Sequence, residues 1–138
     1  MICMPGTSFS SKTITCISNL LKYFHNKGIQ YKFSSTFSRN IYETRNMCLL
    51  GEPSKGKDQK PFDGAEYTHI LWIDDDILFN IKDIERLFKA DKDMVSGLYL
   101  MASGENYAVV ENWDEDFFAR NGYFHFLSKE DLKNRDSI

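Results

Sequence analysis

The sequence predicts an α/β protein with three layers, helix, sheet and helix, around a mostly parallel central sheet. Three observations carry that prediction. Apolar stretches of strand character alternate along the chain with amphipathic helical ones. Each pair of successive strand candidates in the first hundred residues is separated by enough chain for a helical crossover, which parallel pairing requires. One strand candidate, running from His69 to Asp74, has no polar residue in its interior, as expected of a central strand buried on both faces.

The elements follow in order. "MICMP" is a short apolar opening strand, cut off by Pro5 and Gly6. "GTSFSS" is a loop of small polar residues in which Ser10 or Ser11 is placed to cap a helix. Ile14, Ile17, Leu21 and Phe24 form its apolar stripe, and Gly28 is suited to the left-handed position that ends it. "IQYKFSSTF" alternates apolar and polar residues as a second strand. A second helix runs from about Asn40 to Leu50, opened by Asn40 with Glu43 in a capping box and stopped by Gly51. Residues 52–66, rich in proline, glycine and lysine, form a long loop of the kind that is mobile or functional. "THILWID" is the third strand. Asn80 then caps a helix striped by Ile81, Ile84, Leu87 and Phe88. "DMVSGLYLMA" and "NYAVVENW" are the fourth and fifth strands. Residues 113–138 fit no place in this scheme.

The bulk numbers narrow the class. The chain has 138 residues, enough for one domain with a core, and 42% apolar with 27% charged residues excludes disordered and fibrous classes. A net charge of −3 gives no electrostatic footprint for nucleic acid. Aromatic residues at 14% suit a dense core or a carbohydrate-facing surface, the core being the simpler reading. Cys3, Cys16 and Cys48 are odd in number and lack Cys-x-x-Cys spacing, so they read as buried thiols of a reducing compartment. No apolar run approaches the length of a membrane span, and "MICMPG" does not look like a signal peptide. A cytoplasmic protein without a transmembrane segment is the expectation.

The chemistry concentrates in "HILWIDDDILFN", where an apolar strand runs into Asp74, Asp75 and Asp76. In a parallel α/β sheet, ligands bind beyond the carboxyl ends of the strands, which is where these acids stand. On an extended backbone Asp74 and Asp76 point to one side, roughly 7 Å apart. Two carboxylates at that distance repel by about 2 kcal/mol at an effective dielectric of 20. A hard divalent cation, Mg²⁺ or Mn²⁺, offsets this and takes its remaining ligands from substrate phosphates. The plainer alternative is that the aspartates open a turn or cap the helix near Ile81.

Other motifs carry less. "GEPSKGKD" fits the first part of a phosphate-binding P-loop but ends on Asp58, contains Pro53 and follows a helix, so it is rejected. His25, His69 and His125 share no ligand spacing. Arg45 falls on a helical face with Ile41 and Cys48, so its charge needs a partner: one of the aspartates, a bound anion, or water reached along its stem.

Taken in order, "MICMPGTS", "TRNMCL", "ILWIDDDILF" and "DMVSGLYLM" resemble the nucleotide-sugar-dependent glycosyltransferases of the GT-A fold, with the acids in the position of that family's Asp-x-Asp motif. The resemblance covers about residues 1–112 and implies a donor-binding domain there. It implies metal-dependent sugar transfer from a UDP- or GDP-linked donor to an acceptor such as a glycan or other hydroxyl compound. Asp76 would ligate Mn²⁺ or Mg²⁺ directly, and Asp74 would reach the ribose or the metal. Asp75 would face the sugar, and Pro5, Gly6 and Thr7 would line the base and ribose. Arg45 and Asn46 would contact the nucleotide or hold the acid loop. It also implies that most of the acceptor-binding half is missing, with residues 113–138 as its beginning, so no catalytic base is named. Two other readings compete: a metal- or nucleotide-binding module without chemistry, and a Mg²⁺-dependent phosphohydrolase of the haloacid dehalogenase type. The latter is weakened by Leu78 where that family has Thr or Val, and by the two strand–helix units ahead of the motif.

Overall fold

In the computed structural model, which describes residues 1–133, the chain forms two compact units, Met1–Arg86 and the residues from Leu87 onward. Residues 134–138, the end of the C-terminal segment, lie outside the described part.

The first unit is built on three parallel strands, β1 (Ile2–Pro5), β2 (Phe33–Thr36) and β3 (Leu71–Trp72), in the order β2-β1-β3. Ile2 to Pro5 register with Phe33 to Thr36 on one side, and Ile2 and Cys3 with Leu71 and Trp72 on the other. The central strand is therefore β1, all four of whose residues are buried. The stretch expected at the centre, His69–Asp74, lies at the edge instead and pairs through only two residues. Its apolar run is ended by the turn into the aspartates before the ladder can lengthen.

Helix α1 (Ser11–Asn26) is capped by Ser10, whose hydroxyl accepts from the Thr13 amide at 3.0 Å. It ends in a Schellman motif: Gly28 N donates to His25 O and Ile29 N to Phe24 O. Its buried stripe is Thr13, Ile17, Leu20 and Phe24, one residue round from the expected stripe at two positions, and Ile14 is exposed. The two stripes share Ile17 and Phe24. Leu20 and the Thr13 methyl pack inward as readily as Leu21 and Ile14, and the Thr13 hydroxyl finds a partner described below.

Helix α2 (Ile41–Cys48) is shorter than expected, and Asn40 caps it without the expected capping box. Asn40 Oδ1 accepts from Tyr42 N at 2.9 Å, while the Glu43 carboxylate turns to the Ser38 hydroxyl. Leu50, at φ 64, takes the left-handed position, and Gly51 N closes the motif onto Asn46 O. Across the sheet Cys3 points to α2, where Cys3, Cys48 and Phe62 form a buried cluster. In β2 the alternation runs opposite to an apolar-inward pattern: Ser34 and Thr36 are half-buried and Phe33 and Phe37 exposed. Ser34 shares its register, and hence its face, with Cys3, so small side chains lie where α2 packs on β1 and β2.

The loop after α2 is pinned at several points. Gln59 accepts from Glu52 N at 2.7 Å and donates to Glu52 O at 2.9 Å, and Phe62 N donates to Leu49 O at 2.7 Å. Phe62 is buried although it and Asp63 have φ of 55° and 54°. Helix α3 (Ile81–Lys89) opens with a reciprocal cap, Asn80 Oδ1 accepting from Lys82 N and Asp83 Oδ2 from Asn80 N, each at 2.9 Å. The Tyr23 hydroxyl donates to Glu85 Oε1 at 3.0 Å and ties α1 to α3.

In the second unit β4 (Asn106–Val110) pairs antiparallel with β5 (Phe126–Ser128), with α4 (Glu115–Asn121) between them and α5 (Lys129–Leu132) after. This corrects two expectations. The expected fourth strand, Asp93–Ala102, makes a single bridge, Leu100 to Tyr107, and Met94 is 91% exposed. Gly97 interrupts it, and the segment turns back at Gly104 so that Met101 N reaches Asn106 O at 2.8 Å. The expected fifth strand forms but joins a hairpin-like pair rather than a parallel sheet, because a helix of seven residues returns the chain antiparallel. The architecture is thus α/β with a three-stranded parallel sheet and a separate antiparallel pair. No described helix is long and apolar enough to cross a membrane.

Candidate functional site

The segments leaving β1 and β3 emerge at the same end of the parallel sheet, and they meet. Gly6 N donates to Thr36 O at 3.0 Å, which holds the first loop against the end of β2. Ile77 N donates to Asp74 O at 3.2 Å, so the chain turns through Asp75 and Asp76. The extended backbone expected there, with Asp74 and Asp76 on one side, is replaced by this turn. Aspartate accepts turn geometry readily, and the turn aims neighbouring carboxylates in different directions.

Each acid has its own surroundings. The Asp75 carboxylate lies against Gly6, so closely that a Cβ on Gly6 would stand 2.6 Å from Oδ2 and 2.7 Å from the Asp75 Cβ. The Asp75 carbonyl accepts from the buried Thr13 hydroxyl at 3.2 Å, which fixes the turn to the first turn of α1. Asp74 Oδ1 stands 3.6 Å from Arg45 Nη2. Asp76 is exposed. The Arg45 guanidinium carbon lies 5.7 Å from the centre of the Trp72 ring, and Trp72 packs against the Cys3, Cys48 and Phe62 cluster.

The structure therefore brings Gly6 to Asp75 and Arg45 to Asp74. Pro5 is buried in β1 opposite Thr36, and Thr7 is exposed. The Asn46 side chain lies against Gly51, where a Cβ would overlap its amide oxygen, so Asn46 finishes α2. Thr13 and Trp72 belong to the site and were not foreseen. Thr13 was legible as a polar residue at helical spacing from Ile17, Leu20 and Phe24. Trp72 was legible as the residue two before Asp74 and so on its side of the strand.

Beneath the site, burial pushes the Cys3 thiol up to about 11, with Cys48 adding to the effect. Burial also raises Cys48, against a backbone hydrogen bond at Thr36 and the charge of Arg45. Both thiols are therefore packing groups.

Among the described residues, no three His, Cys, Asp or Glu side chains converge as a ready-made metal site. The donor set fits a hard cation held by one or two carboxylates, with the rest of its shell from phosphate oxygens and water. It does not fit a metal held by protein ligands alone. A cleft of about 370 Å³ between Cys16, Tyr23, Phe79 and Asn80, and one of about 540 Å³ around Trp113 to Asp116, do not include Asp74, Asp75 or Asp76 in their linings. Against protein-family models, curated proteins and solved structures, the chain has no match.

Proposed function

We propose that the chain binds a UDP- or GDP-linked sugar together with Mn²⁺ or Mg²⁺ at the carboxyl end of its parallel sheet, and transfers the sugar to a hydroxyl acceptor, as a GT-A glycosyltransferase does. The observation that carries this is the meeting of the β1 and β3 loops, Gly6 against Asp75, with Arg45 on Asp74. A glycine at the end of β1 lets the Asp75 carboxylate pack directly on the backbone, which brings the acid turn to the loop that would meet the base and ribose. The exposed Asp76 and half-exposed Asp74 offer hard oxygen ligands from a turn anchored by Thr13. When bound, the divalent cation neutralises the charge that develops on the departing diphosphate. Asp75 orients the turn against Gly6, and Arg45 supplies a planar donor fork suited to phosphate oxygens.

Release of nucleoside diphosphate from UDP- and GDP-linked sugars tests the proposal. Turnover should require Mn²⁺ or Mg²⁺ and fall by about 100-fold in Asp76→Asn, the scale expected when a Lewis acid's anchor is lost. Hydrolysis of a generic aryl phosphate that disappears in Asp74→Asn, without sugar release, would point to a phosphohydrolase instead.

A further inference from the structure

We infer that Arg45 is the resident counter-ion of Asp74, and that it is handed to the donor diphosphate when a divalent cation takes its place, so that metal and diphosphate binding are coupled through one side chain. This rests on the donor-site proposal above.

The ion pair is built to exchange. At 3.6 Å it is longer than the 2.7–2.9 Å of a direct charge-assisted hydrogen bond, and the two side chains are 51% and 43% exposed. Exposed pairs of this kind contribute little to stability and break easily. Yet Arg45 is not free to wander. Its backbone belongs to α2, whose ends are fixed by Asn40 and by the Gly51 closure. Its guanidinium rests over Trp72, which is seated on the Cys3, Cys48 and Phe62 core. An aromatic face attracts a cation whichever anion it serves, so Trp72 can hold the head near the site while its partner changes.

A metal on Asp74 repels the guanidinium and draws charge from the carboxylate that holds it, so metal alone favours release of Arg45 from a pair that is already long. A nucleoside diphosphate changes that balance, because the displaced guanidinium gains phosphate oxygens that its fork fits better than a single carboxylate oxygen. Binding of each ligand then assists the other, reciprocally.

The test is Mn²⁺ binding, followed by loss of the free-ion electron paramagnetic resonance signal, without and with saturating UDP. Wild type, Arg45→Met and Arg45→Lys are compared. Arg45→Met should bind Mn²⁺ alone up to about fivefold more tightly, the range expected on removing one exposed competing charge. The factor by which UDP tightens Mn²⁺ should fall by about tenfold, within the usual span of coupling between sites. Arg45→Lys should keep the competition for Asp74 and lose most of the coupling, a pattern that a merely structural ion pair does not produce. If wild type binds Mn²⁺ with UDP and both substitutions leave both constants unchanged, or Arg45→Met weakens Mn²⁺ alone, the exchange is wrong and the donor site stands. Absence of Mn²⁺ binding in wild type under either condition would overturn both.

Discussion

Gly6 is the smallest residue with the largest consequence for the site. Its missing side chain leaves the space that the Asp75 carboxylate fills, with contacts too short for any Cβ. Gly6→Ala should therefore push the acid turn away from β1 and destabilise the chain by about 1–3 kcal/mol, the usual range for forcing volume into a packed contact. Urea unfolding measures this, and a loss below about 0.5 kcal/mol would mean that the turn gives way without resistance. The buried thiols make a second prediction. The folded chain holds the Cys3 proton until about pH 11, whereas an ordinary thiol releases it near 9.0. Folded-state protonation thus exceeds that of the unfolded chain across this window. Stability is fully present below pH 9 and falls as pH rises toward 11. The urea midpoint of wild type should drop more steeply over that range than that of Cys3→Ala. Parallel slopes would show that Cys3 is not the cause. At this scale the sequence was partly legible. The three aspartates stand out because an apolar strand runs straight into them, whereas the spacing of Thr13 marks only its face of α1 and not its partner, a carbonyl sixty-two positions away.

Among the elements, the loop after α2 shows best how packing overrides local preference. Phe62 and Asp63 both adopt left-handed backbone, which costs about 1–2 kcal/mol per non-glycine residue. Burial of the Phe62 ring against Cys3 and Cys48 offsets that cost and fixes the loop beneath Trp72. Phe62→Ala should accordingly destabilise by about 3–5 kcal/mol, as for other buried phenylalanines, and should loosen Arg45 over Trp72. Equilibrium unfolding gives the number, and a cost under about 1 kcal/mol would show that the ring is not an anchor. Composition marked residues 52–66 as loop, but nothing local in "KPFDGA" distinguishes a buried ring from a surface one. Helices were more legible than strands. The caps at Ser10 and Asn80 are short-range chemistry written in neighbouring residues. The strand between Asp93 and Ala102 failed because an apolar run specifies burial only when a partner ladder is in reach, and Gly97 and the return toward Asn106 direct that stretch elsewhere.

At the scale of the whole molecule, alternation of strand and helix correctly implied a parallel α/β sheet, because a crossover helix leaves the chain few other ways to pair. Strand order was not legible. Two apolar stretches, Ile2–Pro5 and His69–Asp74, both suit the centre, and the choice fell to the one that accepts a full ladder on β2 and a shorter one on β3. The antiparallel pair from Leu87 onward was not legible either, since β5 is three residues long and its pairing is set by the α4 return. What the parallel topology does is gather Gly6, Arg45 and the three aspartates at one end of one sheet, and the account stands or falls on that end being a metal and nucleotide site. The direct test is the thermal unfolding midpoint with UDP and with GDP, each with and without Mn²⁺, for wild type and Asp76→Asn. At a ligand concentration of 100 times the dissociation constant, binding stabilises by about 2.7 kcal/mol, a rise of several degrees for a chain of this size. A metal and nucleotide site there gives a rise that needs nucleotide and metal together, appears with one of the two bases, and is absent in Asp76→Asn. An unchanged midpoint in every combination would contradict it and leave Asp74, Asp75 and Asp76 as residues of a turn.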